Sequence, residues 1–193
     1  MSDTIRTFVA IELPDHVVAS IRKVQEGLRS YGFNVKWVRP ENIHLTLKFL
    51  GDIGTADTKK VGDAIAVSMK EHAPVSLTAK GIGVFPGIKN PRVIWVGITG
   101  RQNELLALQN RLENELAGIG FPREKRPFNG HLTLGRVKQK IDPRRLVEAI
   151  EEFGGFESEP FAAGEVVLFK SDLKPTGAVY TKLVSAALNL SLS

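Results

Sequence analysis

Apolar residues recur along this chain with two periods, which together predict four helices and eight strands. Helices are expected where apolar residues return every three or four positions, over about residues 14–31, 55–71, 101–116 and 143–153. Strands are expected where apolar residues alternate with polar ones or form short runs, near residues 7–13, 35–38, 43–50, 75–84, 91–98, from 131, 163–170 and 178–186. Paired strands interspersed with helices predict an α+β fold with antiparallel sheets rather than a doubly wound parallel sheet.

Two of the predicted strands carry the same nine-residue segment. Residues 39–47 read R-P-E-N-I-H-L-T-L and residues 126–134 read R-P-F-N-G-H-L-T-L, with seven identical positions at a constant offset of 87. Solenoid repeats have shorter periods, of about 20 to 50 residues. The duplication therefore predicts two large, similar halves, and the absence of a linker predicts that they form a single bilobal domain over residues 1–193.

Alternate residues of a strand face opposite sides of a sheet, so each copy has a polar and an apolar face. In the first copy, His44, Thr46 and Lys48 should share one face, with the leucines and Phe49 on the other. In the second copy, the same rule puts Thr133 on the same face as His131, and Gly135 continues that polar face. Each strand thus presents an imidazole and a hydroxyl to one side, which favours a groove between the halves.

Composition limits the chemistry that such a groove could perform. The 193 residues include no cysteine, which excludes disulfides, thiolate catalysis, zinc-thiolate sites and iron–sulfur clusters. A net charge of +5 and a pI near 9.5 favour a polyanionic partner. No apolar run approaches the ~18 residues of a membrane span, and the N-terminus lacks a signal-peptide pattern, so a soluble cytoplasmic protein without membrane contact is expected.

Paired histidines suit a reaction that needs a base and an acid together. Because the ordinary histidine pKa is about 6.5, one imidazole can be neutral while the other is protonated near neutral pH. A phosphodiester fits this arrangement: one imidazole accepts a proton from water and the other donates one to the departing alkoxide. Thr46 and Thr133 could donate hydrogen bonds to the non-bridging oxygens and stabilise the charge of the transition state.

Two other hypotheses fit the pattern less well, and a third stays open. A bis-histidine metal site would need a third ligand, and neither motif brings an Asp, a Glu or another His to its polar face. A non-catalytic module that binds RNA ends would be better served by permanently charged Lys or Arg. A phosphodiesterase for small cyclic nucleotides differs only in substrate size, which a comparison of an oligonucleotide with a mononucleotide would resolve.

The two motifs resemble the H-x-T-x signatures of the two-histidine phosphoesterase superfamily, in its branch of RNA 2′,3′-cyclic phosphodiesterases, also called 2′-5′ RNA ligases. The resemblance rests on R-P-E-N-I-H-L-T-L-K-F-L-G and R-P-F-N-G-H-L-T-L-G-R. It extends to R-T-F-V-A-I-E-L-P, to R-V-I-W-V-G and to the terminal L-F-K-S and Y-T-K-L. Gly130 departs from the family, which commonly has Pro before the second histidine, so a less rigid loop is expected there.

The resemblance implies two lobes with outer helices, related by a pseudo-twofold axis around a central groove. It implies metal-independent hydrolysis of an RNA-terminal 2′,3′-cyclic phosphate to a 2′-phosphate, with reverse 2′-5′ ligation in some members. It assigns the role of proton donor to His44 and that of proton acceptor to His131. No cofactor is implied, and the expected partner of this monomer is an RNA 3′ end with a 2′,3′-cyclic phosphate, such as a tRNA fragment.

Four further residues are expected to bind the substrate: Lys48, Arg136, Lys170 and Tyr180. Lys48 shares the face of His44 by alternation, whereas Arg136 does not share that of the second histidine. Arg136 must then reach round from a bent strand end, or else serve the structure. Lys170 and Tyr180 belong to the terminal strings of the resemblance.

Overall fold

A computed structural model describes residues 3–70, 72–175 and 177–189, which form four α-helices and nine β-strands. The helices are α1 (Asp15–Ser30), α2 (Thr58–Met69), α3 (Gln102–Gly118) and α4 (Pro143–Phe153). The strands are β1 (Thr4–Glu12), β2 (Val35–Trp37), β3 (His44–Gly54), β4 (Val75–Phe85), β5 (Val93–Gly100), β6 (His131–Val137), β7 (Phe161–Ala163), β8 (Glu165–Lys174) and β9 (Gly177–Ala187). Every predicted element is present, and the ninth strand, β7, is a short strand that the sequence did not separate from β8.

The strands form one antiparallel sheet in the order β7-β4-β5-β6-β3-β1-β8-β9, with β2 also paired to β6. Its two four-stranded halves meet where β3 pairs with β6 through Leu45 opposite Leu132. These leucines are counterparts in the repeat, at the offset of 87, so a local twofold axis passes between them. The α+β fold with two similar halves is confirmed, although the predicted antiparallel sheets are one continuous sheet.

Local signals fix several ends of the helices. Asp142 caps α4, because its side-chain oxygen accepts a hydrogen bond of 2.9 Å from the backbone N–H of Arg144. Pro143 occupies the first helical position, where a missing N–H costs nothing. Gly32 has a φ of 69°, which lets the chain turn sharply after α1. Within the described ranges, no helix is long and apolar enough to span a membrane.

Each motif strand contains a β-bulge at the same position of the repeat. Opposite β1, Val9 pairs with Lys48 and Ala10 pairs with Thr46, so Leu47 is an extra residue. Opposite β5, Ile94 pairs with Gly135 and Trp95 with Thr133, so Leu134 is the extra residue there. Because a bulge adds one residue to one strand only, it reverses the alternation of faces beyond it.

The bulges overturn the predicted faces of four residues. Lys48 is only 6% exposed and lies under the sheet, whereas Phe49 is 62% exposed on the groove side. The predicted substrate contact of Lys48 is therefore wrong. In the second copy, Gly135 is buried and Arg136 turns towards the groove. Simple alternation fails here because the sequence alone does not reveal where a bulge falls.

The buried Lys48 is neutralised by an ion pair with α3. Its Nζ atom lies 2.7 Å from Glu113 Oε2 and donates a second hydrogen bond to the Pro122 carbonyl at 2.9 Å. The same Glu113 oxygen accepts a bond from the backbone N–H of Glu124. The pair thus ties β3 to the loop that leads to the second motif.

Two buried glutamines bind the extra leucines across the twofold axis. Gln25 of α1 donates 2.9 Å and 2.7 Å hydrogen bonds to the carbonyls of Leu134 and Val38. Gln109 of α3 donates one of 3.4 Å to the carbonyl of Leu47. A bulge leaves backbone groups outside the strand ladder, and each buried carbonyl needs a donor. Each helix therefore fixes the bulge in the other half of the repeat.

Removing one member of the buried ion pair should destabilise the protein strongly. In Glu113→Ala, the Lys48 ammonium would stay buried without its partner, a change that typically costs about 3–5 kcal/mol. Urea denaturation followed by circular dichroism measures the loss. Asp63→Ala, which breaks the exposed 2.7 Å pair with Lys59, is the matched control and should change the free energy of unfolding little. Equal losses in the two variants would contradict this account of Lys48.

Candidate active site

A cleft of about 590 Å³ runs along the groove side of the sheet, on both sides of the twofold axis. His44, Thr46, Thr133, Arg136 and Tyr180 line this cleft. The half-buried ring of the second histidine lies next to the cleft, two residues along β6 from Thr133. The structure therefore brings together most of the residues predicted for the site, and their roles remain predictions.

The register between β3 and β6 sets the relative positions of the two motifs. Since Leu45 lies opposite Leu132, the adjacent positions place His44 beside Thr133 and Thr46 beside His131. The two histidines are then diagonal neighbours, and such Cα atoms lie roughly 7–8 Å apart. Each imidazole is thus next to the hydroxyl of the other half.

Both imidazole rings are oriented by the same backbone contact. The Nδ1 atom of His44 lies 2.8 Å from the carbonyl oxygen of Asn42, and that of His131 lies 2.8 Å from the carbonyl oxygen of Asn129. A carbonyl can only accept, so Nδ1 carries the proton in the neutral ring and Nε2 is left as the free acceptor. Sequence reasoning missed these contacts, although an identical Asn two residues before each histidine was the available signal.

The loop before His44 has an additional tie to β9, the edge strand of its own half of the sheet. The Asn42 side chain donates a 2.9 Å hydrogen bond to the carbonyl of Ala178 in β9. The residues between Arg39 and His44 form a single 3₁₀ turn, Pro40–Asn42, in which Pro40 takes the first position. This loop is therefore held at its Asn42 end, next to the imidazole that it positions.

Aromatic rings enclose His44. Phe8 stacks on the imidazole at a centroid distance of 4.7 Å, and Tyr180 meets it edge-on at 5.3 Å. Burial lowers the pKa of His44 below the ordinary histidine value, and the backbone bond to Asn42 and the charge of Glu12 oppose that shift only in part. In the free protein, the cage favours the neutral form of this histidine.

The second histidine has a different aromatic neighbourhood. Phe85 meets His131 edge-on at 5.1 Å and lies 4.9 Å from Trp95, which pairs with Thr133 as Ala10 pairs with Thr46 in the other half. The indole ring of Trp95 lies directly over Gly83. A Cβ atom added at Gly83 would lie 2.2 Å from this ring. The glycine therefore makes room for the wider ring, and the two halves of the cleft differ in shape despite their common motif.

The cleft has a strongly positive lining. Its basic side chains are those of Arg6, Lys36, Arg39, Arg136 and Lys138, and the described lining includes no Asp or Glu. Such a wall attracts anions and focuses a positive potential in the cleft. Five cations around two hydroxyls and an imidazole are typical of a phosphate site.

Tyr180 and Lys170, both predicted to bind substrate, have different positions. Tyr180 lines the cleft, where burial raises the pKa of its hydroxyl against the opposing charges of Arg136 and Arg6. Lys170 does not line the cleft: it pairs with Asp172 at 3.1 Å, and its neighbours on β8 take the cleft side. Alternation along β8 thus turns Lys170 away from the described cleft lining, and its contact with the substrate stays a prediction.

Among the described residues, no three His, Asp or Glu side chains are placed together to hold a metal ion.

Comparisons with known proteins give matches along almost the whole chain. The sequence model described as LigT like phosphoesterase matches twice, over residues 11–95 and 96–180. An RNA 2′,3′-cyclic phosphodiesterase of Methanothermobacter thermautotrophicus is 34% identical over 179 residues, which cover 93% of this chain and 96% of that protein. The crystal structure of TT0787 of Thermus thermophilus is similar with a TM-score of 0.80 at 26% identity, covering 95% and 98% of the two chains. That of E. coli LigT complexed with 3′-AMP has a TM-score of 0.73 at 28% identity, covering 97% and 99%.

The enclosure of His44 should make stability depend on pH. Because the folded protein disfavours protonated His44, the unfolded chain binds the proton more readily. The free energy of unfolding should therefore fall as the pH drops from about 6.5 through the lowered pKa of His44, and this contribution is fully present above about pH 6.5. Urea unfolding of the wild-type protein and of His44→Asn at several pH values checks this. A stability difference that does not change with pH would contradict it.

Proposed function

We propose that this chain, which belongs to the LigT-like phosphoesterase family, hydrolyses the 2′,3′-cyclic phosphate at an RNA 3′ end to a 2′-phosphate. Relatives in several archaea and bacteria are named RNA 2′,3′-cyclic phosphodiesterases at about one-third identity along most of both chains. The positive cleft suits a substrate that carries one charge on its cyclic phosphate and more along its strand.

The observation that carries this proposal is the pairing of two oriented imidazoles across the twofold axis. Each ring has its Nδ1 atom bound to a backbone carbonyl, which leaves Nε2 free for proton transfer. Thr46 and Thr133 come from the two halves and flank the same space. A binding module would have no need for two rings held in one tautomer.

In the proposed reaction, water attacks the phosphorus atom and the bond to the ribose 3′ oxygen breaks. His131 accepts the proton of the attacking water, and His44 donates a proton to the departing 3′ oxygen. The phosphorus stays bonded to the 2′ oxygen, so the product is a 2′-phosphate with a free 3′ hydroxyl. The hydroxyls of Thr46 and Thr133, with the Arg136 guanidinium, stabilise the non-bridging oxygens as charge builds on them.

The lowered pKa of His44 is compatible with its role as donor. In the free cleft, burial favours the neutral ring. A phosphodiester anion bound beside the ring favours the protonated form, because an opposite charge nearby raises the pKa of an imidazole. Substrate binding would then supply the proton that the departing oxygen needs.

The same geometry would permit 2′-5′ ligation, which is the reverse of the cleavage of a 2′-5′ linkage. If the 5′ hydroxyl of a second RNA occupies the position of the attacking water, the same bond to the 3′ oxygen breaks and a 2′-5′ linkage forms. Both motifs come from one chain, so the proposed active unit is a monomer. We propose that it acts in the cytoplasm on RNA ends such as those of tRNA fragments.

Replacing either histidine should remove nearly all activity. General acid–base catalysis contributes roughly 10²- to 10⁴-fold per group, so His44→Ala and His131→Ala should each lose activity of that order, and the double variant should lose far less than the product of the two. The assay follows a nucleoside 2′,3′-cyclic phosphate in EDTA and identifies the product by chromatography. His16→Ala, which changes an exposed histidine of α1, is the control.

Two outcomes would count against the proposal. Retention of more than half of the wild-type rate by either variant would remove that histidine from the mechanism. A 3′-phosphate product, or activity that EDTA abolishes and a divalent ion restores, would reject the proposed bond cleavage or the metal-independent mechanism.

The pH dependence should separate the two roles. The substrate has no proton to lose near neutrality, so a bell-shaped profile of kcat/KM would report two apparent pKa values of the imidazole pair. The residual activity of His44→Ala should rise with pH without an alkaline fall, since only the acceptor remains. That of His131→Ala should fall as the pH rises through the lowered pKa of His44, below about 6.5. The opposite pattern would exchange donor and acceptor.

A further inference from the structure

The two motif histidines have different neighbours on the strands that flank the motif strands. On β1, Glu12 lies directly opposite His44. On β5, Gly97 lies directly opposite His131. Because β1 and β5 hold equivalent places in the two halves of the sheet, Glu12 and Gly97 are counterparts. One imidazole therefore has a carboxylate beside it, and the other has no side chain at that position.

Glu12 projects to the same side of the sheet as His44. Directly opposed residues of an antiparallel pair share a face, with Cβ atoms about 4.5–5.5 Å apart. The preceding residue, Ile11, is buried under the sheet, so alternation turns Glu12 to the groove side. Burial lowers the pKa of His44, and the charge of Glu12 opposes that lowering. Glu12 thus lies behind the imidazole and outside the lining of the cleft.

Lys182 of β9 holds the carboxylate of Glu12 in place. The two side chains form an ion pair that reaches from β1 across β8 to β9. Lys182 lies on the groove side, since it is opposite Phe169, whose ring stacks with that of Phe8. The bond to Glu12 raises the pKa of Lys182. The pair therefore keeps a charged carboxylate at a fixed position next to His44.

The other groups that face His44 are apolar, neutral or basic. β8 contributes the ring of Phe169, and β9 contributes the phenol of Tyr180. The charged side chains of the cleft lining are all basic: Arg6, Lys36, Arg39, Arg136 and Lys138. Cations disfavour a protonated imidazole, and a carboxylate favours it. Glu12 therefore supplies the negative charge that the cleft itself lacks.

The backbone keeps a side chain away from the equivalent position beside His131. A Cβ atom added at Gly97 would lie 2.8 Å from the carbonyl oxygen of Lys80, the residue opposite it on β4. The Lys80 side chain is itself paired with Glu157 at 2.9 Å. A carboxylate could not stand beside His131, as Glu12 stands beside His44, unless the backbone of β4 or β5 moved.

We propose that Glu12 is a positioning residue whose carboxylate stabilises the protonated form of His44 and so makes His44, rather than His131, the proton donor. The inference rests on the proposed function, in which the two imidazoles have unlike roles. A general acid must hold its proton before the reaction, and a general base must be without one. The carboxylate beside one ring and the glycine beside the other favour these two different states.

The variant Glu12→Gln tests the charge, because it removes the charge and keeps the shape of the side chain. The Glu12 side chain is 42% exposed, so water screens its charge. The affinity of His44 for a proton should therefore fall only roughly two- to fourfold. NMR titration of the His44 ring protons in the free protein measures this affinity without turnover. Glu12→Asp, which keeps the charge, should retain most of the wild-type affinity.

Two further variants separate the charge of Glu12 from a structural role of its ion pair. Lys182→Gln breaks the same pair but removes a cation, so the proton affinity of His44 should not fall. Asp172→Asn removes a 40% exposed carboxylate from the pair with Lys170, outside the cleft lining, and should behave as the wild type. Roughly 1 M salt, which screens charges over about 3 Å, should reduce the effect of Glu12→Gln.

The pH profile of kcat/KM gives an independent reading. The alkaline limb reports the donor, so Glu12→Gln should move this limb to lower pH and reduce kcat/KM along it by the same two- to fourfold. The acid limb, which reports the acceptor, should keep its position. A displacement of the acid limb instead would mean that Glu12 acts on the acceptor, and it would overturn the inference.

Two results of the titration would also overturn it: an unchanged proton affinity of His44 in Glu12→Gln, or an equal fall in Lys182→Gln. An equal fall would mean that the ion pair only holds the strands in place. Because the titration needs no substrate, the two proposals can fail separately. The expected titration in a protein that hydrolyses no cyclic phosphate would refute the proposed function alone.

Discussion

The pairing of β3 with β6 at Leu45 and Leu132 is the contact on which the rest of the site depends. Because each leucine is the counterpart of the other, the pair lies on the local twofold axis of the fold. At the positions next to this leucine pair, the register places an imidazole of one half beside a hydroxyl of the other half. A slip of one strand by one residue in this register would turn its polar side chains to the face opposite those of its partner strand.

The second constraint is the bulge in each motif strand, which decides what surrounds the two motifs. Beyond Leu47 and Leu134 the faces of the strands are reversed, and the cleft gains Phe49 on one side and Arg136 on the other. The cost of burying Lys48 is offset by its pair with Glu113. The two halves thus share the His-x-Thr pattern at the axis and differ in the side chains away from it.

Much of the fold and of the central site could be predicted from the sequence, because both depend on local patterns. Periodicity gave the elements, and the repeated H-L-T-L segments put His44 and Thr46 on one face, since both precede the bulge. The alternation of polar and apolar residues assigned Lys48 and Arg136 to the wrong faces, because the extra residue of a β-bulge leaves no signal in that alternation. The aromatic cage of His44 could not be predicted either, since Phe8 and Tyr180 come from distant strands.

In the proposed mechanism, the two histidines act from opposite sides of one phosphate, with the threonines on its non-bridging oxygens. A crystal structure with uridine 2′,3′-vanadate, a mimic of the five-coordinate transition state, tests it most directly. The account predicts His44 Nε2 within hydrogen-bond distance of the apical 3′ oxygen and His131 Nε2 within that distance of the opposite apical oxygen. It also predicts that Thr46 and Thr133 donate to equatorial oxygens. Both imidazoles on one side of the vanadate, or a metal ion between them, would contradict the account.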